Sequence, residues 1–331
     1  MSAPHLHPKR KSVDRLPISV GSGFVALDML LVGHERVNAN EQYAGGSCGN
    51  VLSILSHLDW ESYPVARLGT DRLAKRVLAD FAESGVNTEF VFRAPTGVTP
   101  VVVVRLAERR DGSIQPRFEW KHPKSGDWLP RYRPFPKTKA EEVAPQLPDA
   151  GVFYFDRAEK SALVMAEKMR ERGAVVFFEP SSCKDDSLFT DCLAVSDIVK
   201  YSKDRISEPP RNPVSRSPRL EIQTLGKDGL RYRLKAGNHP GQWKTMTAFT
   251  VDSLVDSTGC GDWCSAGVIN KLCRDGREKF LERDDSEIAA ALRYGLALAA
   301  INCQYQGARG PMYHLSRDKF LAKVDTLLEL A

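Results

Sequence analysis

The chain has 331 residues, with 47 Lys and Arg against 42 Asp and Glu, a net charge of +5. A hydrophobic share of 42% and a charged share of 27% fill a sizeable core and exclude a disordered or fibrous chain. Seven cysteines with no C-x-x-C pair and no zinc-like Cys/His spacing exclude a disulfide scaffold and fit reduced thiols in the cytoplasm.

Residues 1–15 (MSAPHLHPKRKSVDR) carry basic side chains with no apolar stretch behind them, so they read as a disordered tail, and His5 and His7 as inert within it. No apolar run reaches the roughly 18 residues of a membrane helix; GFVALDMLLVG is broken by Asp28 and ALRYGLALAAINC by Arg293. From residue 16 the pattern alternates. LPISVGSGF is a buried strand ending in glycines. Residues 50–58 have helical spacing after a Gly-rich opening, 63–71 read as strand and turn, and 72–85 as an amphipathic helix with a Gly stop. Strands are expected at 99–107, 151–156, 174–180, 196–202 and 220–226, with a helix at 161–173. The last third is helical, over 262–276 and 285–307. This order predicts one α/β unit with a mostly parallel central sheet flanked by helices.

Two stretches break the rhythm. Residues 105–140 hold ten Lys/Arg against four Asp/Glu, with Phe118, Trp120, Trp128, Tyr132 and Phe135 interleaved and five prolines that oppose a long helix. They read as an insertion of short strands and loops covering a site, in preference to a surface for single-stranded nucleic acid. Residues 203–219, rich in Pro, Arg and Ser, read as a surface loop.

The strongest chemical signal is VDSTGCGDWCSAGVI (255–269). Gly259 and Gly261 let backbone amides approach a ligand where a helix begins, and a helix N-terminus favours an anion. Asp262 stands where a general base for an attacking hydroxyl is needed. With an ordinary carboxylate pKa of about 3.9 it would accept the proton only as the oxygen attacks. Read by itself, the same pattern also suits a plain helix N-cap.

DSTGCGD resembles the D-T-x-G-A-G-D signature of the ribokinase-like (PfkB-type) family of sugar and nucleoside kinases, with Ser257 and Cys260 as departures. The resemblance implies Asp262 as catalytic base, the amides of Gly259, Cys260 and Gly261 as an anion hole, and Asp256 and Thr258 as holders of a monovalent cation such as K+. AGGSCGN followed by a helix and RLGTD (44–71) resembles the family's other signature. It implies that Gly45, Gly46 and Asn50 contact the phosphate acceptor, and Asp28 matches the family's acidic residue for sugar hydroxyls. A carboxylate offers two acceptor oxygens to a vicinal diol. The competing Gly21-x-Gly23-x-x-Ala26 dinucleotide pattern lacks its acidic partner, since Glu41 does not close a strand.

QTLGKDG (223–229) resembles the family's T-x-G-x-x-G turn, which puts Thr224, Gly226 and Gly229 near the nucleotide. AINCQYQGARG resembles its C-terminal segment, which puts Gly307 and Ala308 by the adenine pocket or the cation loop. Where the family carries N-x-x-E to position Mg2+ through water, this chain has Ser202 and Arg205; Asp204 or Glu179 are the carboxylates that could compensate.

The resemblance covers about residues 16–315. It implies a ribokinase-like domain over 16–331 with a small β-strand lid drawn from about 28–44 and 95–122. The implied reaction is transfer of the ATP γ-phosphoryl group to a hydroxymethyl group of a small sugar. A nucleoside or a sugar phosphate is the alternative acceptor, and a non-catalytic ligand-binding relative the alternative outside enzymes. Pairing of lids into a homodimer follows from the same resemblance; neither nucleic acid nor membrane is expected as a partner.

Overall fold

The computed structural model describes residues 15–32, 42–108, 114–183, 187–208, 218–237, 239–251 and 253–330. The N-terminal tail with His5 and His7, the middle of the first lid segment with Glu41, and most of the Pro/Arg/Ser-rich loop lie outside them.

In chain order the strands are β1 (Ile18–Ser22), β2 (Ala26–Val32), β3 (Gln42–Gly45), β4 (Glu61–Leu68), β5 (Val91–Arg93), β6 (Val101–Glu108), β7 (Ile114–Glu119), β8 (Val152–Phe155), β9 (Val175–Phe178), β10 (Ile198–Ser202), β11 (Leu220–Thr224), β12 (Leu230–Ala236), β13 (His239–Pro240) and β14 (Lys244–Met246). The helices are α1 (Ser47–His57), α2 (Arg72–Glu83), α3 (Lys137–Val143), α4 (Lys160–Glu171), α5 (Ser187–Val195), α6 (Cys260–Leu272), α7 (Gly276–Glu282), α8 (Asp285–Asn302), α9 (Gly310–His314) and α10 (Arg317–Glu329).

The large sheet runs β13-β12-β11-β10-β9-β8-β1-β4-β5, with β14 also on β12. All pairings from β11 through β5 are parallel; only β12 and its neighbours run antiparallel. A separate four-stranded sheet, β3-β2-β6-β7, leaves the end of β1. This is the α/β architecture that the strand–helix alternation implies. The central strands are apolar on both faces because both faces are covered. In β8, Val152 and Tyr154 enter one core and Phe153 and Phe155 the other; β9 divides Val175 and Phe177 from Val176 and Phe178 in the same way. One core packs the sheet on α1, α2, α6, α8 and α10, the other on α3, α4 and α5. Phe24, Ala26, Leu30, Val102 and Val104 form a third, smaller core on the small sheet.

Local signals set the element ends. Asp71 caps α2 by accepting from the Ala74 amide at 2.8 Å, and Asp284 with Glu287 closes a capping box on α8. The helix expected over 285–307 stops at Asn302; Cys303 caps it, and its carbonyl accepts from the amides of Val255 and Asp256 instead of continuing the helix. The basic insertion holds more helix than its prolines suggested: Pro136 sits at the N-cap of α3, where a missing N–H costs nothing. The strand β2, at 26–32, was not separable by periodicity from the glycine-rich run before it.

Strand order reverses between β1 and β8, and in open α/β sheets ligands bind at the carboxyl ends of the strands at such a point. Here the Phe24 amide donates to Asp156 Oδ1 at 2.8 Å, joining the two strand ends. The small sheet is anchored beside this crevice by a buried ion pair. Arg309 and Asp80 are 1% and 2% exposed. Arg309 Nη2 donates to Asp80 Oδ2 and to the Ala44 carbonyl, both at 2.5 Å, while the Ala44 amide donates to the same carboxylate at 2.8 Å. Removing one member of a buried pair strands the other, which costs about 3–5 kcal/mol. Asp80→Ala is therefore expected to lower the urea midpoint markedly; a midpoint within experimental error of wild type would contradict this anchoring.

Candidate active site

The site is organised by the loop before α6. Asp256 is fully buried. Its Oδ1 accepts from the Thr258 amide at 2.8 Å and the Thr258 hydroxyl at 2.6 Å, and its Oδ2 from the Gly307 amide at 2.8 Å. The Cys303 carbonyl accepts from the amides of Val255 and Asp256, and Asn302 Nδ2 donates to the Thr258 carbonyl at 2.8 Å. The 255–259 turn and the 302–308 segment are thus one unit. Gly259 is the N-cap, at φ +76°, and a Cβ there would lie 2.2 Å from the Ala308 carbonyl oxygen. The sequence needs glycine for both reasons. The first-turn amides of α6, including those of Gly261 and Asp262, have no intrahelical carbonyl to bond. With the helix dipole they make an anion-attracting end.

Asn50, on α1, donates from Nδ2 to Asp262 Oδ2 at 2.8 Å. The two signatures, 212 residues apart, meet through this bond. Burial raises the pKa of Asp262 to about 7, and the nearby Glu179 charge adds to it, while Asn50, Lys200 and Arg205 pull the other way. The expectation of an ordinary carboxylate is corrected: desolvation makes Asp262 a stronger base than the same group in water.

Lys200, 1% exposed on β10, lies behind this end of the helix. Its Nζ donates to Glu179 Oε1 and, at 3.1 Å, to the Gly261 carbonyl. Glu179 Oε2 also accepts from the Ser265 hydroxyl and, at 3.1 Å, from the Tyr154 hydroxyl. Burial opposes the Lys200 charge, but Glu179, with Cys264 and Asp262, more than offsets it and its pKa rises. Sequence reading missed Lys200; the clue was a lysine in the otherwise apolar strand SDIVKYS. It also offered Glu179 as a compensating metal carboxylate, whereas the structure commits that group to Lys200, Ser265 and Tyr154.

Asp28, on β2, faces a cavity of about 210 Å3 that Asn50, Thr258, Gly307, Ala308, Arg309 and His314 also line. Gly45 is opposite: a Cβ there would stand 2.0 Å from the Asp28 carboxyl carbon. Gly46, at φ +79°, turns the chain into α1. Burial pushes the pKa of Asp28 to about 7; Arg309 and the Gly46 amide oppose this. Gly307 and Ala308 share this cavity and brace Asp256 and Gly259, so they stand at the loop of Asp256.

Thr224, Gly226 and Gly229 lie apart from that cavity, in the β11–β12 hairpin. Thr224 pairs with Ser202 at the strand ends. Gly229 has a packing reason of its own, since a Cβ would meet the Met246 carbonyl at 2.1 Å.

The donor sets do not assemble a metal cage. Among the described residues no group of three His, Cys, Asp or Glu side chains could hold an ion. Both oxygens of Asp256 serve the turn, Glu179 is paired with Lys200, and Arg205 adds positive charge near Asp262. The Asp256 carboxylate and the Thr258 hydroxyl nevertheless stand together at this turn, as the monovalent-cation assignment requires.

Gly259→Ala should cost roughly 1–2 kcal/mol for the left-handed backbone alone, with the Ala308 clash added. A thermal melt unchanged from wild type would refute the close approach.

Residues 213–314 match the profile of the pfkB family carbohydrate kinases. The chain is 24% identical over 305 residues to an ATP-dependent ribose-1-phosphate kinase of Halopiger xanaduensis, covering 90% of this chain and 88% of that protein. Among solved structures, a fructokinase with bound ATP from Xylella fastidiosa superposes with a TM-score of 0.69 at 18% identity, covering 94% and 98% of the two chains. An Arabidopsis thaliana ribokinase complexed with ribose and ATP gives 0.66 at 18% identity, covering 93% and 99%. Residues 213–314 thus resemble the pfkB family carbohydrate kinases, and the fold over nearly the whole chain is the ribokinase-like fold of these solved structures.

Proposed function

We propose that the protein transfers the γ-phosphoryl group of ATP to a hydroxymethyl group of a small sugar, with Asp262 as general base. The observation that carries this reading is the 2.8 Å bond between Asn50 and Asp262 at the N-terminus of α6. It sets one carboxylate oxygen in place and leaves the other for a substrate hydroxyl, beside amides suited to the charge on a transferring phosphoryl group. ATP as donor is supported by the ATP-bound relatives. Magnesium would enter with the nucleotide phosphates; no step here depends on a protein-held ion.

In this reading the acceptor lies in the cavity with Asp28 and Asn50, and its hydroxyl approaches Asp262. The carboxylate takes the proton as the oxygen attacks phosphorus. The amides of Gly259, Cys260 and Gly261 stabilise the charge. Lys200 holds the Gly261 carbonyl from behind, which fixes the peptide leading to Asp262. Thr224 and Gly226 are assigned to the nucleotide side. The small sheet, anchored through Arg309 and Asp80, excludes water from the crevice and so limits ATP hydrolysis.

A sugar phosphate is the second reading. It is favoured by His314 on the cavity wall, and by the ribose-1-phosphate kinase among the relatives.

ADP release measured across sugars, nucleosides and sugar phosphates decides the acceptor. Asp262→Asn should lower kcat at least 10²–10⁴-fold and leave ATP affinity within about a factor of two; substantial remaining turnover would sink the base assignment. The pH profile gives an independent check. Asp262 works ionised, and its pKa is about 7. kcat/KM should therefore fall at least tenfold per pH unit below about 7, more steeply where Asp28 must also be ionised, and level off above it. A profile flat down to pH 5 would contradict the buried base.

A further inference from the structure

Cys260 opens α6, where its amide belongs to the proposed anion hole, and Cys303 caps the C-terminus of α8. Their sulfurs stand 3.0 Å apart, although the residues are 43 positions apart in sequence. Both are partly exposed, whereas Cys48, Cys192, Cys264 and Cys273 are buried. None of the seven is in a disulfide. A disulfide bond is about 2.05 Å long, so joining this pair requires the sulfurs to close by about 1 Å. The surroundings are already tied. The Cys303 carbonyl receives the amides of Val255 and Asp256, and the Cys260 thiol points at the Ala299 carbonyl at 3.5 Å. Any shift of one sulfur toward the other is passed to the turn that carries Gly259 and Gly261.

We propose that Cys260 and Cys303 are a reversible oxidation site, joined by a hydroperoxide into a disulfide that displaces the first turn of α6 and switches the enzyme off. The chemistry balances with hydrogen peroxide as oxidant. One thiolate displaces hydroxide from the peroxide and becomes a sulfenic acid; the second attacks that sulfur and releases the other hydroxide. The two protons given up by the thiols convert both hydroxides to water. Two thiols are oxidised and one peroxide is reduced to two waters. A thiol reductant reverses the bond. Formation of the bond stands on the sulfur geometry alone; only its effect on turnover rests on the proposed kinase function.

The test uses the full chain with Cys183→Ser, which removes the other partly exposed cysteine. After a pulse of hydrogen peroxide, quenching and alkylation, peptide mapping should find the Cys260 and Cys303 peptides linked, with the loss of two hydrogens. A misplacement of about 1 Å can cost about 10²-fold in rate, so kcat/KM should fall by about that factor and return with dithiothreitol. Cys303→Ser, and Cys303→Ala beside it, should keep near-wild-type turnover before and after the pulse and give no linked peptide. Absence of the linked peptide overturns the proposal. A linked peptide with unchanged turnover overturns the switch, as does equal inactivation of the Cys303 variants. If the reduced protein turns over no acceptor, the kinase reading fails, while the mapped bond still decides the oxidation site.

Discussion

A helix N-terminus attracts an anion only if its first turn is held still and open to the ligand, and in this chain one buried carboxylate does that. Asp256 bonds Thr258 two residues ahead and Gly307 fifty-one residues ahead. These bonds fasten the loop before α6 to the segment after α8. Because the two segments touch, residue 259 has no room for a side chain, and because it lacks one the loop can turn left-handed into the helix. The open end of α6, the wall of the cavity and the approach of Cys260 to Cys303 all follow from that closure.

Burial then shapes the chemistry. Asp262 lies close to Glu179, and Glu179 would be a second unpaired carboxylate without Lys200. The lysine neutralises it and also takes the Gly261 carbonyl, so one cation sets both the charge behind the helix end and the position of the peptide that leads to Asp262. Buried charges persist when each is paired and hydrogen-bonded. Arg309 and Asp80 follow the same rule on the other side of the cavity, where they join the small sheet to α2 and α9.

Much of the fold was legible along the chain. Strands buried on both faces read as short apolar runs, and β8 and β9 were visible for that reason. The helices α2 and α4 showed their amphipathic spacing. Periodicity did not show the strand β2, which only the resemblance placed in the lid segment at about 28–44, nor the helix α3. One follows directly on a glycine-rich turn, and the other begins at a proline that composition alone marks as a breaker. In the site, the glycines and acidic residues of both signatures stood out because their spacing is local. Lys200 and Arg309 did not, since a lone basic residue in a strand or loop has no local pattern, and only its partner shows that it is buried.

The α/β architecture, the two signatures and the residue types at the end of α6 could be read along the chain, because each depends on periodicity or on a turn of a few residues. Only the packing of distant segments brings Asn50 to Asp262, pairs Glu179 with Lys200, and closes Gly307 and Ala308 on Asp256 and Gly259. It also decided that the Asp262 carboxyl is shifted to about 7. The physical reason is common to all of these. They depend on distance and on the removal of water, and both are set only when segments far apart in the chain pack together.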